Sequence, residues 1–80
     1  MGLSRQETTD KIRALVAEVL KVDAHNINPD ASFKAMGADS LDLMEILMKV
    51  EDAFDITIPE QATMNIDTVN QAADALMKVK

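Results

Sequence analysis

Apolar residues recur with helical spacing in several parts of this chain. In the first part they stand at i, i+3, i+4, i+7 and i+8, and the set is Ile12, Leu15, Val16, Val19 and Leu20. The preceding Ser4-Arg5-Gln6-Glu7 has the S-x-x-E form of a capping box, in which two side chains satisfy each other's backbone N–H groups. A single apolar stripe behind such a cap predicts an amphipathic helix from about residue 5 to residue 20.

The second half of the chain contains two further helical patterns. Pro59 opens a short segment that predicts a turn or helix over about residues 59–64. Further on, Thr68-Val69-Asn70-Gln71 has the related T-x-x-Q form of a capping box. The apolar stripe that follows consists of Val69, Ala72, Ala73, Leu76 and Val79. This combination predicts a last helix that begins just after Thr68.

The segment from residue 21 to residue 39 interrupts the helical pattern. It is rich in Asp, Asn, Ser, Pro and Gly, and therefore predicts a long loop of a kind that is often functional. The apolar residues expected to anchor the loop to the core are Val22, Ile27, Phe33 and Met36. We treat residues 1–80 as a single domain. The pattern predicts an all-α fold, a small four-helix bundle with a long loop between helices 1 and 2 and a short third helix.

The helix predicted from about residue 40 to residue 53 has two apolar stripes rather than one. At about 100° per residue, one stripe is wide enough to face a core, and it consists of Leu43, Ile46, Leu47, Val50 and Phe54. Leu41, Met44 and Met48 fall on a different side of the helix. A small bundle could bury both stripes. Alternatively, the second stripe stays exposed as a docking patch, because an apolar centre with a charged rim is typical of a transient protein interface.

Acidic residues are concentrated in the same part of the chain. Residues 39–60 contain seven acids and a single base, Lys49, and so carry the whole formal net charge of −6. The acids are Asp39, Asp42, Glu45, Glu51, Asp52, Asp55 and Glu60. This charge disfavours nucleic acid as a partner, because phosphates would be repelled, and favours a basic protein surface. A solvated helix face that keeps the protein soluble explains the charge equally well.

Several other sites and locations are disfavoured. The chain contains no Cys, which rules out disulfides, thiolate metal ligands and a cysteine nucleophile. Residues 26–30 faintly resemble a calcium loop, but Ala31 stands where that loop needs Gly, so we expect no metal site. No segment has the roughly 20 apolar residues of a membrane span. Charged residues near the N-terminus disfavour a signal peptide, and we expect a cytoplasmic monomer.

Ser40, at the start of the second helix, admits three interpretations. Ser is a common helix cap, but Asp39 could cap this helix equally well and leave Ser40 in the first turn. A nucleophilic role is disfavoured because the only His, His25, is in the preceding loop, and Asp42 replaces the second Gly of a G-x-S-x-G motif. The third interpretation is an attachment point, since the unpaired N–H groups and partial positive charge of a helix N-terminus suit a phosphate.

The segment Gly37-Ala38-Asp39-Ser40-Leu41-Asp42 resembles the prosthetic-group site of acyl carrier proteins, which is centred on Asp-Ser-Leu. The resemblance extends over nearly the whole chain. It includes the capped first helix, Asn28-Pro29-Asp30 in the loop, the acidic second helix, residues 54–59 and the Thr68-Val69 start of the last helix. Asp-Ser-Leu alone is a weak motif, but this length, charge and order of elements make the resemblance specific.

The resemblance implies a carrier of the free-standing type, without catalytic activity, that serves a dissociated fatty acid synthase. Ser40, flanked by Asp39 and Leu41, would receive 4′-phosphopantetheine from coenzyme A through a phosphopantetheinyl transferase. Acyl chains would then be carried as thioesters on that arm, which supplies the thiol that the sequence lacks. The residues on which fatty acid synthesis enzymes with basic patches are expected to dock are Asp42, Met44, Glu45, Met48, Glu51, Asp52 and Glu60.

Two departures from the usual fatty-acid carrier leave the pathway open. Residues 60–64 contain one acid, Glu60, where these carriers usually have several, and Lys49 interrupts the acidic band of the second helix. A specialised carrier for polyketide, lipid A or another dedicated product is therefore an alternative. A peptidyl carrier is disfavoured, since those typically have a less acidic second helix and a Gly-Gly-x-Ser context. An unmodified acidic module that binds a basic partner is the alternative of a different class.

Overall fold

Four α-helices form the described part of the structure. The computed structural model describes residues 4–79, and of residue 79 only its place in a helix. Helix α1 spans Arg5–Leu20, α2 spans Ser40–Phe54, α3 spans Glu60–Thr63 and α4 spans Val69–Val79, and the described residues contain no strand. The predicted all-α fold is confirmed. The predicted bounds of α1 are correct, α2 ends one residue later than predicted, and α3 lies within its predicted segment.

The first predicted capping box holds the start of α1. The Glu7 N–H donates to Ser4 Oγ at 3.1 Å, and the Ser4 N–H donates to Glu7 Oε1 at 3.2 Å. At α4 the Thr68 hydroxyl accepts from the Gln71 N–H at 3.0 Å, as the pattern predicts. The Gln71 carboxamide, however, accepts from the Asp67 N–H at 2.6 Å, one residue before the expected donor. The hydrogen bonds that hold the start of α4 therefore extend back to Asp67.

Helix α1 is central to the core, because it packs against both α2 and α4. Ile12 and Val16 of its stripe are fully buried, and the other three members pack half-buried against the core. The buried members of the α4 stripe are Val69, Ala72, Ala73 and Leu76. These stripes are confirmed, while the prediction for Val79 concerns a side chain outside the described residues.

Helices α1 and α2 run antiparallel. Lys49 Nζ of α2 lies 3.4 Å from Glu18 Oε1 of α1, and Lys11 Nζ of α1 lies 5.4 Å from the centre of the Phe54 ring of α2. Residue numbers therefore fall along α1 as they rise along α2. It follows that Ser40, at the start of α2, lies towards the C-terminal end of α1.

The long loop before α2 has more local structure than predicted. A 3₁₀ turn spans Ala24–Asn26. Ile27 and Phe33 are buried and Met36 is half-buried, so three of the four predicted anchors are confirmed. The loop is therefore attached to the core along most of its length.

The prediction for the fourth anchor, Val22, is wrong, since this residue is 46% exposed. Lys21 ends α1 in the left-handed conformation with φ 59°, and the N–H groups of Lys21 and Val22 both donate to Ala17 O. The chain turns at Lys21 and carries Val22 away from the stripe of α1. Gly at this position would have indicated such a turn, whereas Lys gives no sequence signal for it.

Hydrogen bonds hold the loop to the start of α4. The Phe33 N–H donates to Asp67 O at 2.7 Å, and the Ser32 hydroxyl donates to the Asp67 carboxylate. One turn further along, the Asn70 N–H donates to Pro29 O at 3.0 Å. Because the Phe33 side chain is fully buried, these bonds fix the segment that leads to α2.

We expect Asp67→Ala to lower the free energy of unfolding by about 1 to 3 kcal/mol, because it removes the acceptor for the Ser32 hydroxyl and the Lys34 N–H. Asp74→Ala is the control. The Asp74 side chain is 59% exposed and pairs with Arg5, whose side chain is 41% exposed, so its loss should cost less than about 1 kcal/mol. Urea denaturation of both variants measures the difference. Equal losses would contradict the role assigned to Asp67.

Candidate functional site

Ser40 is the first residue of α2, and Asp39 is the cap of that helix. The Asp42 N–H donates to Asp39 Oδ1 at 2.9 Å, and the Asp39 N–H donates to Asp42 Oδ2 at 3.2 Å. This reciprocal pair is a complete capping box. The interpretation of Ser40 as the cap is therefore wrong, and Ser40 is exposed to solvent at the tip of the helix.

A tight turn delivers the chain to this cap. The N–H groups of Met36 and Ala38 both donate to Phe33 O, at 3.1 and 3.0 Å. Between them Gly37 has φ 96°, a left-handed backbone conformation that residues with side chains rarely adopt. Nothing lies within 4 Å of the place where a Cβ would be. Gly is therefore favoured there by the backbone angle and not by lack of space. Ala38 is buried, so the turn ends on the core and the next residues emerge at the surface.

The backbone at the start of α2 suits an anionic group. The first intrahelical bond runs from the Leu43 N–H to Asp39 O at 3.0 Å, so the N–H groups of Ser40 and Leu41 precede the helical ladder. Such N–H groups and the helix dipole give a helix N-terminus a partial positive charge of roughly half a unit. A phosphodiester on the Ser40 oxygen would lie in this field. The residues present therefore fit the attachment of a phosphate-linked group.

The two apolar stripes of α2 lie in different environments. Ile46 and Val50 are fully buried, and the remaining members of the core stripe are half-buried. Leu41, Met44 and Met48 are 74%, 59% and 64% exposed. We call these three residues the exposed stripe. The alternative in which the bundle buries both stripes is wrong.

Acidic side chains flank the exposed stripe, but they are not equivalent. Glu45 and Asp52 are exposed. Glu51 is half-buried, and its Oε2 accepts from the Ile58 N–H at 2.7 Å, so it also holds the chain that leaves α2. Lys49, which interrupts the acidic band in the sequence, pairs with Glu18 of α1. The charges of the band that remain exposed are therefore acidic.

The residues expected to contact partners do not all lie on one element. Most lie along α2, and a shallow groove near its C-terminal half is lined in part by Glu45, Met48 and Asp52. Glu60, by contrast, is an exposed residue at the start of α3. Met64, just after α3, is 81% exposed and adds apolar surface there.

Residues 4–79 contain no group of three or more His, Asp or Glu side chains placed to hold a metal ion. No helix in that range is long and apolar enough to cross a membrane.

Comparison with known proteins identifies the family. Residues 10–76 match the family model described as the phosphopantetheine attachment site. The chain is also 40% identical over 79 residues to an acyl carrier protein of Cyanidioschyzon merolae, covering 98% of this chain and 87% of that protein. This chain belongs to the acyl carrier protein family. Acyl carrier proteins are carriers rather than enzymes, and their prosthetic group is phosphopantetheine.

Solved structures of carrier proteins have the same fold. A free-standing peptidyl carrier protein from a secondary metabolic pathway of Acinetobacter baumannii has a TM-score of 0.81 at 25% identity, covering 94% of each chain. BlmI, a type II acyl carrier protein of Streptomyces verticillus involved in bleomycin biosynthesis, also has a TM-score of 0.81, at 26% identity, covering 92% of this chain and 87% of that one. The resemblance to acyl carrier proteins and the predicted prosthetic group are therefore confirmed.

Sequence reasoning missed the structural roles of three residues that support the site. Gly37 has a signal, since a Gly just before a capped helix indicates a left-handed turn. Asp67 precedes a T-x-x-Q box, but nothing in the sequence pairs it with Ser32. The bond between Glu51 and the Ile58 N–H joins α2 to the following loop, and the pattern of charges alone gives no sign of it.

The exposed stripe should contribute little to stability. We expect Leu41→Ala and Met48→Ala each to lower the free energy of unfolding by less than about 1 kcal/mol, because both side chains are mostly solvated. Ile46→Ala, on the buried face of the same helix, should cost about 2 to 5 kcal/mol. Chemical denaturation of the three variants measures these values. If all three were equally destabilised, the exposed stripe would be part of the core.

Proposed function

We propose that Ser40 carries 4′-phosphopantetheine and that the protein delivers acyl thioesters to the enzymes of a dissociated fatty acid synthase. The observation that supports this most strongly is the capping box of Asp39 and Asp42, which leaves the Ser40 hydroxyl exposed at a helix N-terminus. The arm supplies the thiol on which acyl groups are held. The chain itself contains no Cys that could do so.

The role of Ser40 in this proposal is to present its oxygen to a phosphopantetheinyl transferase. The Ser40 oxygen forms the new bond to phosphorus, its proton passes to a base of the transferase, and the nucleotide part of coenzyme A leaves. The carboxylates of Asp39 and Asp42, on either side of Ser40 in the sequence, each accept a hydrogen bond from a backbone N–H of the cap. These bonds stabilise the two charges, and the partial positive charge of the N–H groups offsets part of their repulsion of the phosphate.

Partner recognition is assigned to the exposed stripe and its acidic flank. Leu41, Met44 and Met48 provide an apolar centre beside Glu45 and Asp52. A basic partner would be steered by the acids and held by contact with the apolar side chains. The transferase and the synthase enzymes are the proposed partners, encountered by a monomeric carrier in the cytoplasm.

The fatty acid pathway is proposed over a dedicated one because the second helix carries the acidic surface expected for this role, with Glu45 and Asp52 exposed. A dedicated pathway is the second candidate, supported by the 81% exposure of Met64 and the single acid of α3. Transfer of malonyl groups to the modified protein by an enzyme of fatty acid synthesis would separate the two.

Ser40→Ala should fold normally but accept no prosthetic group, since Asp39 still caps α2. The protein is incubated with coenzyme A and a phosphopantetheinyl transferase of broad specificity, and its intact mass is measured. Wild type should gain one phosphopantetheine, and Ser4→Ala, a serine control at the start of α1, should gain it too. A wild-type chain that stays unmodified would refute the carrier function, and a modified Ser40→Ala chain would refute the assignment of the site.

Glu45→Lys should slow modification by the transferase roughly tenfold at low ionic strength, because an exposed rim charge acts mainly by steering. The effect should fade as the Debye length falls from about 30 Å at 0.01 M salt to about 8 Å at 0.15 M. Asp10→Lys on α1 makes the same change of charge at another exposed position and is the control. The measurement is the modification rate against salt concentration. An equal effect of both substitutions would indicate net charge rather than a docking surface.

A further inference from the structure

Four methionines in the described residues are exposed. Met44, Met48, Met64 and Met77 are 59%, 64%, 81% and 48% exposed. A thioether at the surface is open to oxidation, and its sulfoxide is polar and can be reduced again enzymatically. Such a change affects the proposed function only where the sulfur atom lies on a surface that partners contact.

Two of them, Met44 and Met48, lie beside Ser40. They stand four and eight residues after Ser40 on one side of α2, which is about 6 and 12 Å along the helix axis. Both belong to the exposed stripe, which has acids at its edge and no aromatic residue. The apolar character of the stripe therefore rests on one leucine and these two thioethers.

We infer that Met44 and Met48 form a reversible oxidation site that controls docking, an inference that rests on the proposed function. Hydrogen peroxide is the oxidant. The sulfur lone pair attacks one peroxide oxygen, an S–O bond forms and the O–O bond breaks. The departing hydroxide takes the remaining proton, so each thioether becomes a sulfoxide and each peroxide yields one water.

Oxidation places a strong hydrogen-bond acceptor in the apolar centre of the interface. The apolar side chains of a partner that pack on the sulfoxide remove its water without offering a donor, and binding is weakened. The acids at the rim remain charged, so steering persists while the contact is lost. The fold itself is unaffected, because both side chains are mostly solvated.

Met77 provides an internal control. Its sulfur lies 3.8 Å from Arg5 Nη1, at the start of α1. Glu18, the residue of α1 that pairs with Lys49 of α2, is about 20 Å along the helix from Arg5. Met77 is thus exposed to the same oxidant but lies far from the exposed stripe.

The test uses the full chain without its prosthetic group. The protein is oxidised in steps with hydrogen peroxide, catalase removes the excess, and each sample is divided between peptide mass mapping and a transferase assay. We expect the modification rate to fall about tenfold as the sulfoxides of Met44 and Met48 accumulate. Methionine sulfoxide reductases should restore it.

Leucine variants separate these two methionines from the others. Leu conserves volume and apolar character but has no sulfur to oxidise, so the double variant Met44→Leu/Met48→Leu should be modified at the same rate before and after peroxide treatment, whatever its unoxidised rate. Met77→Leu and Met64→Leu should stay as sensitive as wild type. The inference is overturned if the double variant is equally sensitive, or if sulfoxides at both positions leave the wild-type rate unchanged.

Two further measurements keep the outcomes distinct. If the unoxidised wild type gains no phosphopantetheine, the proposed function fails and this inference falls with it. If it is modified, the ratio of oxidised to unoxidised rates reports on the methionines alone. The melting temperatures of the two forms should agree within about 4 °C. A larger fall would mean that oxidation acts by unfolding, which also overturns the inference.

Discussion

The capping box of Asp39 and Asp42 is the interaction on which the start of α2 depends. A helix leaves its first N–H groups without intrahelical partners, and a Ser at this position would ordinarily satisfy one of them. Here the two carboxylates accept hydrogen bonds from the backbone N–H groups of the capping box. The hydroxyl of Ser40, between them, is left exposed instead of being held against the backbone. The two acids thus stabilise the helix and leave the Ser40 hydroxyl accessible to the proposed transferase.

The position of this box is fixed from the other end of the chain. Asp67, before α4, holds the loop through Ser32 and Phe33, and the buried Phe33 ring anchors the turn that ends in Gly37. Helix α4 in turn packs against α1, which also contacts α2. A long loop thereby delivers Ser40 to a defined place, although most of its residues have no regular secondary structure. Local turns at Ala24–Asn26 and Gly37 shape parts of this loop, and tertiary bonds attach it to the rest of the fold.

This dependence explains how much the sequence could predict. Helix α1 was predictable to the residue because its stripe and its cap are both local signals. The loop was predictable as a loop, but the left-handed turn at Lys21 that exposes Val22 has no sequence signal, because a residue other than Gly adopts it. The candidate Ser40 followed from a motif. The choice between core and surface for the second stripe of α2 could not be made, because it depends on which helices pack against α2 in the folded chain.

The exposure of the second stripe of α2 links the fold to the function. Among the described helices, α1 is the one that packs extensively against α2, and the side of α2 that carries the exposed stripe stays open to solvent. Three large apolar side chains are consequently exposed in a domain whose core is already small. For a carrier that binds and leaves several enzymes in turn, as proposed for this protein, a small apolar patch with charges at its edge gives rapid association without a long residence time. Flexible thioethers in that patch can adapt to different surfaces. The same exposure that allows this adaptation opens the sulfur atoms to oxidants, so recognition and its vulnerability to oxidation have one structural cause.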